Sequence, residues 1–291
     1  MTRPTLEFRG RRITRDRALV MAIINRTRDS FFDQGATFEE QSARDAIERV
    51  VADGADIVDI GGVRAGAEGE TVSADEESAR VVPLVEWTRA TFPDLVISVD
   101  TWRHEVGRLV CEAGADLLND TWAGADPELV TIAAEFGTGY VCSHTGGLPP
   151  RTDPLRPHYA DVVADVIETT TQAAERAVQL GVPRDGILID PTLDFGKNTW
   201  HSLTLLRHTE ELVATGWPVL MALSNKDFIG ETLDVAVEDR GPGTLAATVV
   251  AAKAGAAMFR AHDVVGTCQA LDLVASIQGD RPPSRTLRGL V

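Results

Sequence analysis

Two carboxylates, an amide and a group of cations stand at the ends of short apolar runs in this chain. Asp100 closes Val96–Val99, Asn119 closes Leu117–Leu118, and Asp190 closes Ile187–Ile189. Further on, Val219–Leu223 leads to Lys226, and Ala256–Phe259 leads to Arg260 and His262. A carboxylate or amide at the mouth of a buried strand is costly unless it is paired or meets a ligand. Two carboxylates and an amide suit a flat heterocycle with several N–H donors and a carbonyl, because each can make paired hydrogen bonds. Lys226, Arg260 and His262 can offer charge-assisted hydrogen bonds to an anion such as pyrophosphate or sulfate. A strand-end lysine can also form a Schiff base, and spacing does not separate those chemistries. Helix capping by Asp100 or Asn119, and a structural His262–Asp263 pair, are competing roles. For His144, a satisfied strand-end histidine stands beside a ligand role. No His/Cys/Asp cluster has metal-cage spacing, so a Mg²⁺ ion would be held by few protein ligands and by substrate oxygens.

These groups need a scaffold that brings strand ends together. Eight apolar runs recur, each stopping on a polar residue; the other three are Leu19–Ile24 at Asn25, Ile57–Val58 at Asp59, and Tyr140–Cys142 before His144. Stretches long enough for a helix separate them. Parallel strands covered by helices read as continuous apolar runs, and eight of them with polar ends predict an α/β fold, a single (β/α)8 TIM barrel over residues 1–291. Residues 1–17 alternate around Gly10, with Leu6, Phe8 and Ile13 as apolar positions, and predict a short N-terminal hairpin plugging the barrel's bottom. Residues Phe38–Ala52 show helical spacing, closed by Gly54. The joints Asp53-Gly54-Ala55-Asp56, Ala113-Gly114-Ala115-Asp116 and Ala254-Gly255-Ala256 repeat one helix-to-strand device in early, middle and late units. The loops Arg26–Thr37, Gly61–Thr71 and Thr145–Pro157 follow strands and fall on the catalytic face, where Gly-rich loops often act as lids.

Composition narrows the class. The chain has 291 residues and a net charge of −16, which disfavours nucleic acid and anionic membranes as partners. Of its 28 basic residues only three are lysines (Lys197, Lys226, Lys253), and two of these follow apolar runs. The three cysteines (Cys111, Cys142, Cys268) are widely spaced, which argues against a disulfide framework and fits a reducing cytoplasm. Arginines before Ala18–Ile24 imitate a signal peptide, but the apolar stretch is short and runs straight into Asn25-Arg26. No segment approaches the roughly 20 apolar residues a membrane span needs.

At these strand ends the chain resembles the dihydropteroate synthase family over nearly its whole length. The first loop reads Asn25-Arg26-Thr27-Arg28-Asp29-Ser30-Phe31, similar to the family's Asn-x-Thr-Pro-Asp-Ser-Phe. Asp59-Ile60-Gly61-Gly62, Ser98-Val99-Asp100-Thr101, Asn119-Asp120, Asp190-Pro191 with Phe195-Gly196-Lys197, Ser224-Asn225-Lys226 and Arg260-Ala261-His262-Asp263 follow in the family's order. The resemblance implies a reaction in which p-aminobenzoate displaces pyrophosphate from a dihydropterin diphosphate, as a step of folate biosynthesis. It implies that Asp100, Asn119, Asp190, Phe195 and Lys226 hold the pterin and that Arg260 stacks on it. It further implies that Asn25, Arg260 and His262 hold pyrophosphate, that Asn25 is the protein ligand of Mg²⁺, and that the protein is a homodimer.

The departures fall together. The family carries Glu-Ser-Thr-Arg-Pro-Gly after Gly-Gly in the second loop, whereas only Val63-Arg64-Ala65-Gly66 follows Gly62 here. Arg28 replaces the proline that stiffens the first loop, and Asn225 replaces an arginine. Asp227 stands where a small residue would help bind the benzoate carboxylate, which it should repel. Thr192 and Asp194 replace glycines beside the pterin pocket, and Thr145 replaces a methionine. The pterin side is kept, while the p-aminobenzoate side and the closing loops, which carry Asp29, Arg64 and Asp227 as candidate site residues, are changed. This resembles a branch of second, actinobacterial paralogues regarded as inactive. The expectation is a synthase-like protein with a pterin and pyrophosphate site and little or no synthase activity. The alternatives are a working synthase with remodelled loops and a pterin-type methyltransferase.

Overall fold

The computed structural model describes residues 5–27, 39–64, 71–152 and 158–288. Strands β1 (Leu6–Phe8) and β2 (Arg11–Ile13) pair antiparallel, with Leu6 opposite Ile13. Their turn carries positive φ at both central residues, Arg9 (49°) and Gly10 (80°), as a two-residue type I′ connection requires. The eight strands that follow are β3 (Leu19–Asn25), β4 (Ile57–Gly61), β5 (Val96–Asp100), β6 (Leu117–Asp120), β7 (Gly139–Ser143), β8 (Ile187–Asp190), β9 (Leu220–Ala222) and β10 (Met258–Ala261). They form one parallel sheet in the order β8-β7-β6-β5-β4-β3-β10-β9. Its two edges meet through a parallel bridge between Ile189 and Val219, and the Ile189 N–H donates to Pro218 O at 2.9 Å, so the sheet closes into the expected barrel.

Helices α1 (Glu40–Ala52), α2 (Ala74–Thr91), α3 (His104–Ala113), α4 (Leu129–Phe136), α5 (Val162–Leu180), α6 (Thr199–Arg207), α7 (Thr209–Ala214), α8 (Asp227–Leu233), α9 (Gly241–Lys253) and α10 (Val264–Gln278) alternate with those strands. The helix expected from Phe38 is described from Glu40; Phe38 itself lies outside the described residues. Gly54, Gly114 and Gly255, the glycines of the repeated joints, all take positive φ (96°, 113° and 102°). That conformation lets the next strand begin three residues after each glycine. Two of these joints end in a buried carboxylate. Asp56 accepts the Val20 N–H at 2.9 Å and pairs with Arg15 and Arg17, both at 2.6 Å. Asp116 likewise accepts the Ile97 N–H at 2.9 Å and pairs with Arg11 at 2.7 Å and with Arg89.

Side chains alternate across each strand, so the barrel interior is built in layers. Its lower layer holds Met21, Ile57, Val96, Leu117, Leu188 and Met258, all buried, and Leu6 and Phe8 of the hairpin pack into the same cluster. The hairpin therefore plugs the bottom, as its alternation predicts. Two residues further along the same strands the apolar groups give way to Asp59, Ser98, Asn119, Asp190 and Arg260. A close-packed floor thus lies directly beneath a polar layer.

Candidate active site at the strand ends

Strand register decides which groups meet. Asn25 lies opposite Gly61, Gly61 opposite Asp100, and Asp100 opposite Asn119, so four neighbouring strands reach one level. Asp59 sits one step below, opposite Ile23 and Ser98. Arg260, on the far side of β3, reaches across the barrel. Its Nε donates to Asp59 Oδ2 at 2.6 Å and its Nη2 to Asp100 Oδ2 at 2.9 Å. Ser98 Oγ and Asn119 Nδ2 also donate to Asp59, at 2.5 and 3.2 Å. Thr121 Oγ1 donates to the other oxygen of Asp100 at 2.8 Å. Neither Asp100 nor Asn119 acts as a helix cap. Both belong to one charged network, in which Asp59 is the member that sequence reasoning noted as a strand end and did not place in the site.

Burial sets the electrostatics. It pushes the Asp100 carboxyl up to about 7, with Arg260 pulling the other way and Asp59 adding to the rise. Asp190 is also raised by burial, against the pull of Lys226. Lys226 is lowered by burial, against Asp194 and Asp190. Burial works against the Arg260 guanidinium too, but Asp59 and Asp100 outweigh it and raise its pKa. Arg260 therefore stays charged, and an approaching N–H donor finds Asp100 and Asp190 as carboxyls that gain from a partner.

The wall beside this network is aromatic. Phe195 meets Trp122 edge-on at 5.4 Å, and Trp122 meets Trp102 at 6.5 Å. Lys226 Nζ stands 4.7 Å from the centre of the Phe195 ring and donates to Leu193 O. His262 Nδ1 lies 2.9 Å from Ser224 Oγ, and Asp263 instead caps α10 by accepting the Gly266 N–H at 2.9 Å. The competing His262–Asp263 pair is thus replaced by a His262–Ser224 contact. His144 is buried, with Nε2 2.7 Å from Asp165, and burial lowers its pKa to about 4. It is a satisfied strand-end histidine on that nitrogen, outside the charged network.

Two residues that sequence reasoning did not place stand nearby, Lys197 in the loop after β8 and Arg240 just before α9. Lys197 is buried and donates to three carbonyls, of His144 (2.7 Å), Phe195 (2.9 Å) and Thr192 (3.2 Å), tying the ends of β7 and β8 together. Its rarity as one of three lysines was the available signal. Arg240 Nη1 donates to Asn225 O and to Asp227 Oδ1, both at 2.8 Å, in space left by Gly230. Thr192 (φ 49°), Asp194 (φ 71°) and Asn225 (φ 55°) all hold the left-handed conformation. Glycine adopts this conformation without strain, and a β-branched residue such as Thr192 does so least readily.

Several expected residues lie apart from the network. Asp227 is largely exposed and faces Arg240. Arg64 ends the described part of its loop, and Asp29 lies outside the described residues. Asn25 closes β3 half-buried, its Oδ1 3.6 Å from where a Cβ on Gly61 would stand, and its neutral amide oxygen fits a hard cation that takes its other oxygens from a phosphate and water. One group with metal-ligating atoms in reach does form in space among the described residues. It comprises His104, Glu105 and Asp126, and Asp126 there also caps the His104 N–H at 2.9 Å. Sequence spacing hid it because Asp126 comes from the loop after β6.

Known proteins resemble the chain in sequence and in fold. Residues 21–262 match the family described as pterin binding enzyme. The chain is 61% identical over 285 residues to the inactive dihydropteroate synthase 2 of Mycobacterium leprae, covering 97% of this chain and 98% of that one. Among solved structures, Mycobacterium tuberculosis Rv1207 is similar at 50% identity and a TM-score of 0.74, covering 95% and 99% of the two chains. Xanthomonas albilineans dihydropteroate synthase with 4-aminobenzoic acid is similar at 37% identity and a TM-score of 0.86, with the same coverage.

Proposed function

The chain belongs to the pterin-binding enzyme family, and from that premise we propose that it keeps the pterin and pyrophosphate site of a dihydropteroate synthase while having little or no synthase activity. The observation that carries this is the buried Asp59–Arg260–Asp100 network with Asn119, Asp190 and Lys226 around it. Asp100 and Asp190 accept from the N–H groups of the pterin edge, Asn119 and Lys226 donate to its carbonyl and ring nitrogen, and Phe195 flanks the ring. Asn25, Arg260 and His262 face the phosphate end. Bound there, Mg²⁺ would neutralise pyrophosphate oxygens, with Asn25 its protein ligand. Arg260 already has two carboxylate partners to release or share, so its guanidinium is positioned before any ligand arrives.

The name of the M. leprae relative supports inactivity, and so do the altered second-substrate residues. A working synthase is the competing reading, favoured by the intact Lys226, Arg260 and His262. One experiment separates them. Calorimetry with 7,8-dihydropterin and pyrophosphate should show binding, while dihydropterin diphosphate, Mg²⁺ and p-aminobenzoate should give no measurable pteroate. Robust turnover would install the competing reading, and a failure to bind dihydropterin would remove both.

The same reading takes the protein to be a cytoplasmic homodimer. All three cysteines are free, and among the described residues no helix is long and apolar enough to cross a membrane. Leu273 and Ile277, 63% and 75% exposed, lie one turn apart on α10, and the neighbouring α9 also exposes Val249 and Val250. Apolar side chains grouped this way suit burial against a second copy.

A further inference from the structure

Asp194 occupies an unusual position. Its backbone is left-handed at φ 71°, a conformation uncommon outside glycine although aspartate tolerates it better than most residues, and its surroundings hold it there. Asp194 Oδ2 accepts the Asp227 N–H at 2.7 Å and the Phe228 N–H at 3.4 Å, the first two donors of α8. Ser202 Oγ donates to Asp194 Oδ1 at 3.1 Å. The carboxylate is also among the charges that act on Lys226, the lysine shared with Asp190. Beyond it stands Asp227, whose carboxylate turns outward to Arg240.

Among the described residues, the donors nearest Asp194 on this rim are Lys226 and the backbone N–H groups where α8 begins. Each already serves a carboxylate or carbonyl of the chain itself. An incoming carboxylate would meet Asp194 and Asp227 as like charges and find those donors taken, and like charges brought together are a strong device of exclusion. A neutral or cationic amine meets neither obstacle.

Resting on the proposed function above, we infer that Asp194 is a specificity-determining residue: its carboxylate takes the place of a substrate carboxylate, so that the ligand admitted beside the pterin is a neutral or cationic amine. This shifts the main source of exclusion from Asp227, to which sequence reasoning assigned it, to the residue that accepts the Asp227 N–H. Asp227 supplies its backbone N–H to the arrangement, and its side chain is occupied by Arg240.

The test titrates 4-aminobenzoate and its neutral isostere 4-aminobenzamide into the wild-type chain, D194N and D194G, each with and without dihydropterin and pyrophosphate. D194N keeps the size and one acceptor oxygen, and D194G removes the side chain at a backbone conformation that glycine prefers. The wild type should bind the amide at least about tenfold more tightly than the benzoate, and both variants should bring the benzoate level with the amide. Affinity for the amide should stay within about twofold throughout. Two cooperatively folded variants that bind benzoate no more tightly than the wild type overturn the inference. So does a wild type that fails to bind the amide or binds both alike. Loss of dihydropterin binding counts against the proposed function alone, because the benzoate-to-amide ratio is also read without it.

Discussion

Arg260 and its two carboxylates show how a binding site can be charged and still buried. Asp59 is saturated by Arg260, Ser98 and Asn119, whereas Asp100 keeps a pKa near 7 because burial opposes its charge. The direction has a consequence for pH. Above about 7 Asp100 is ionised and offers lone pairs to a pterin N–H; below it the proton removes an acceptor. Stability moves the other way, since between the ordinary carboxyl range and 7 the folded chain binds more protons than the unfolded one. As pH falls through that window, the wild type should therefore gain thermal stability relative to D100N while losing dihydropterin affinity. Melting curves and calorimetry across pH 5–8 check both halves, and parallel behaviour of the two proteins would contradict the assignment. Sequence reasoning found Asp100, Asn119, Asp190 and Arg260 because each ends an apolar run. It did not show that Arg260 pairs with Asp59, a partner 201 positions away, since which strand ends face one another depends on register.

Elements were legible where their period was strict. The eight strand runs, the hairpin around Gly10 and the Gly54, Gly114 and Gly255 joints all stand where the residue pattern places them. What could not be read was the course of the loop after β8, where Thr192 and Asp194 enter left-handed geometry that the β-branched Thr192 disfavours. There tertiary bonds, from Lys197 to three carbonyls and from Asp194 to α8, override local preference. The hairpin offers the cleaner element-scale test. Phe8 is fully buried and reaches the ring of lower-layer residues below the site. Phe8→Ala should lower stability by about 3–5 kcal/mol, the usual cost of an emptied aromatic site, in denaturant unfolding. Dihydropterin affinity should hold, because the polar layer rests on the strands and not on the plug. An unchanged unfolding midpoint would mean that the hairpin is not part of the cooperative fold.

For the whole molecule, the net charge of −16 makes any exposed apolar face conspicuous. Leu273→Asp with Ile277→Asp places two more carboxylates on the exposed face of α10. Light scattering should find the wild type at twice the chain mass and the double variant at the chain mass, with both retaining cooperative melting. A monomeric wild type would leave this face without its second copy. Which outer residues of α10 stay uncovered could not be deduced from periodicity, since apolar and polar residues are mixed along that helix and only the packed structure shows which of them are exposed.

The two buried aspartates of the repeated joints, Asp56 and Asp116, grip two arginines each at the end of the barrel away from the strand tips. With the hairpin beneath the same strands, the molecule is fastened at one pole and decorated at the other. Mutations that drift into the decorated pole can thus accumulate without threatening the chain's survival as a folded object. A lineage built this way can abandon a reaction long before it loses a shape, and what persists can be recruited for another ligand.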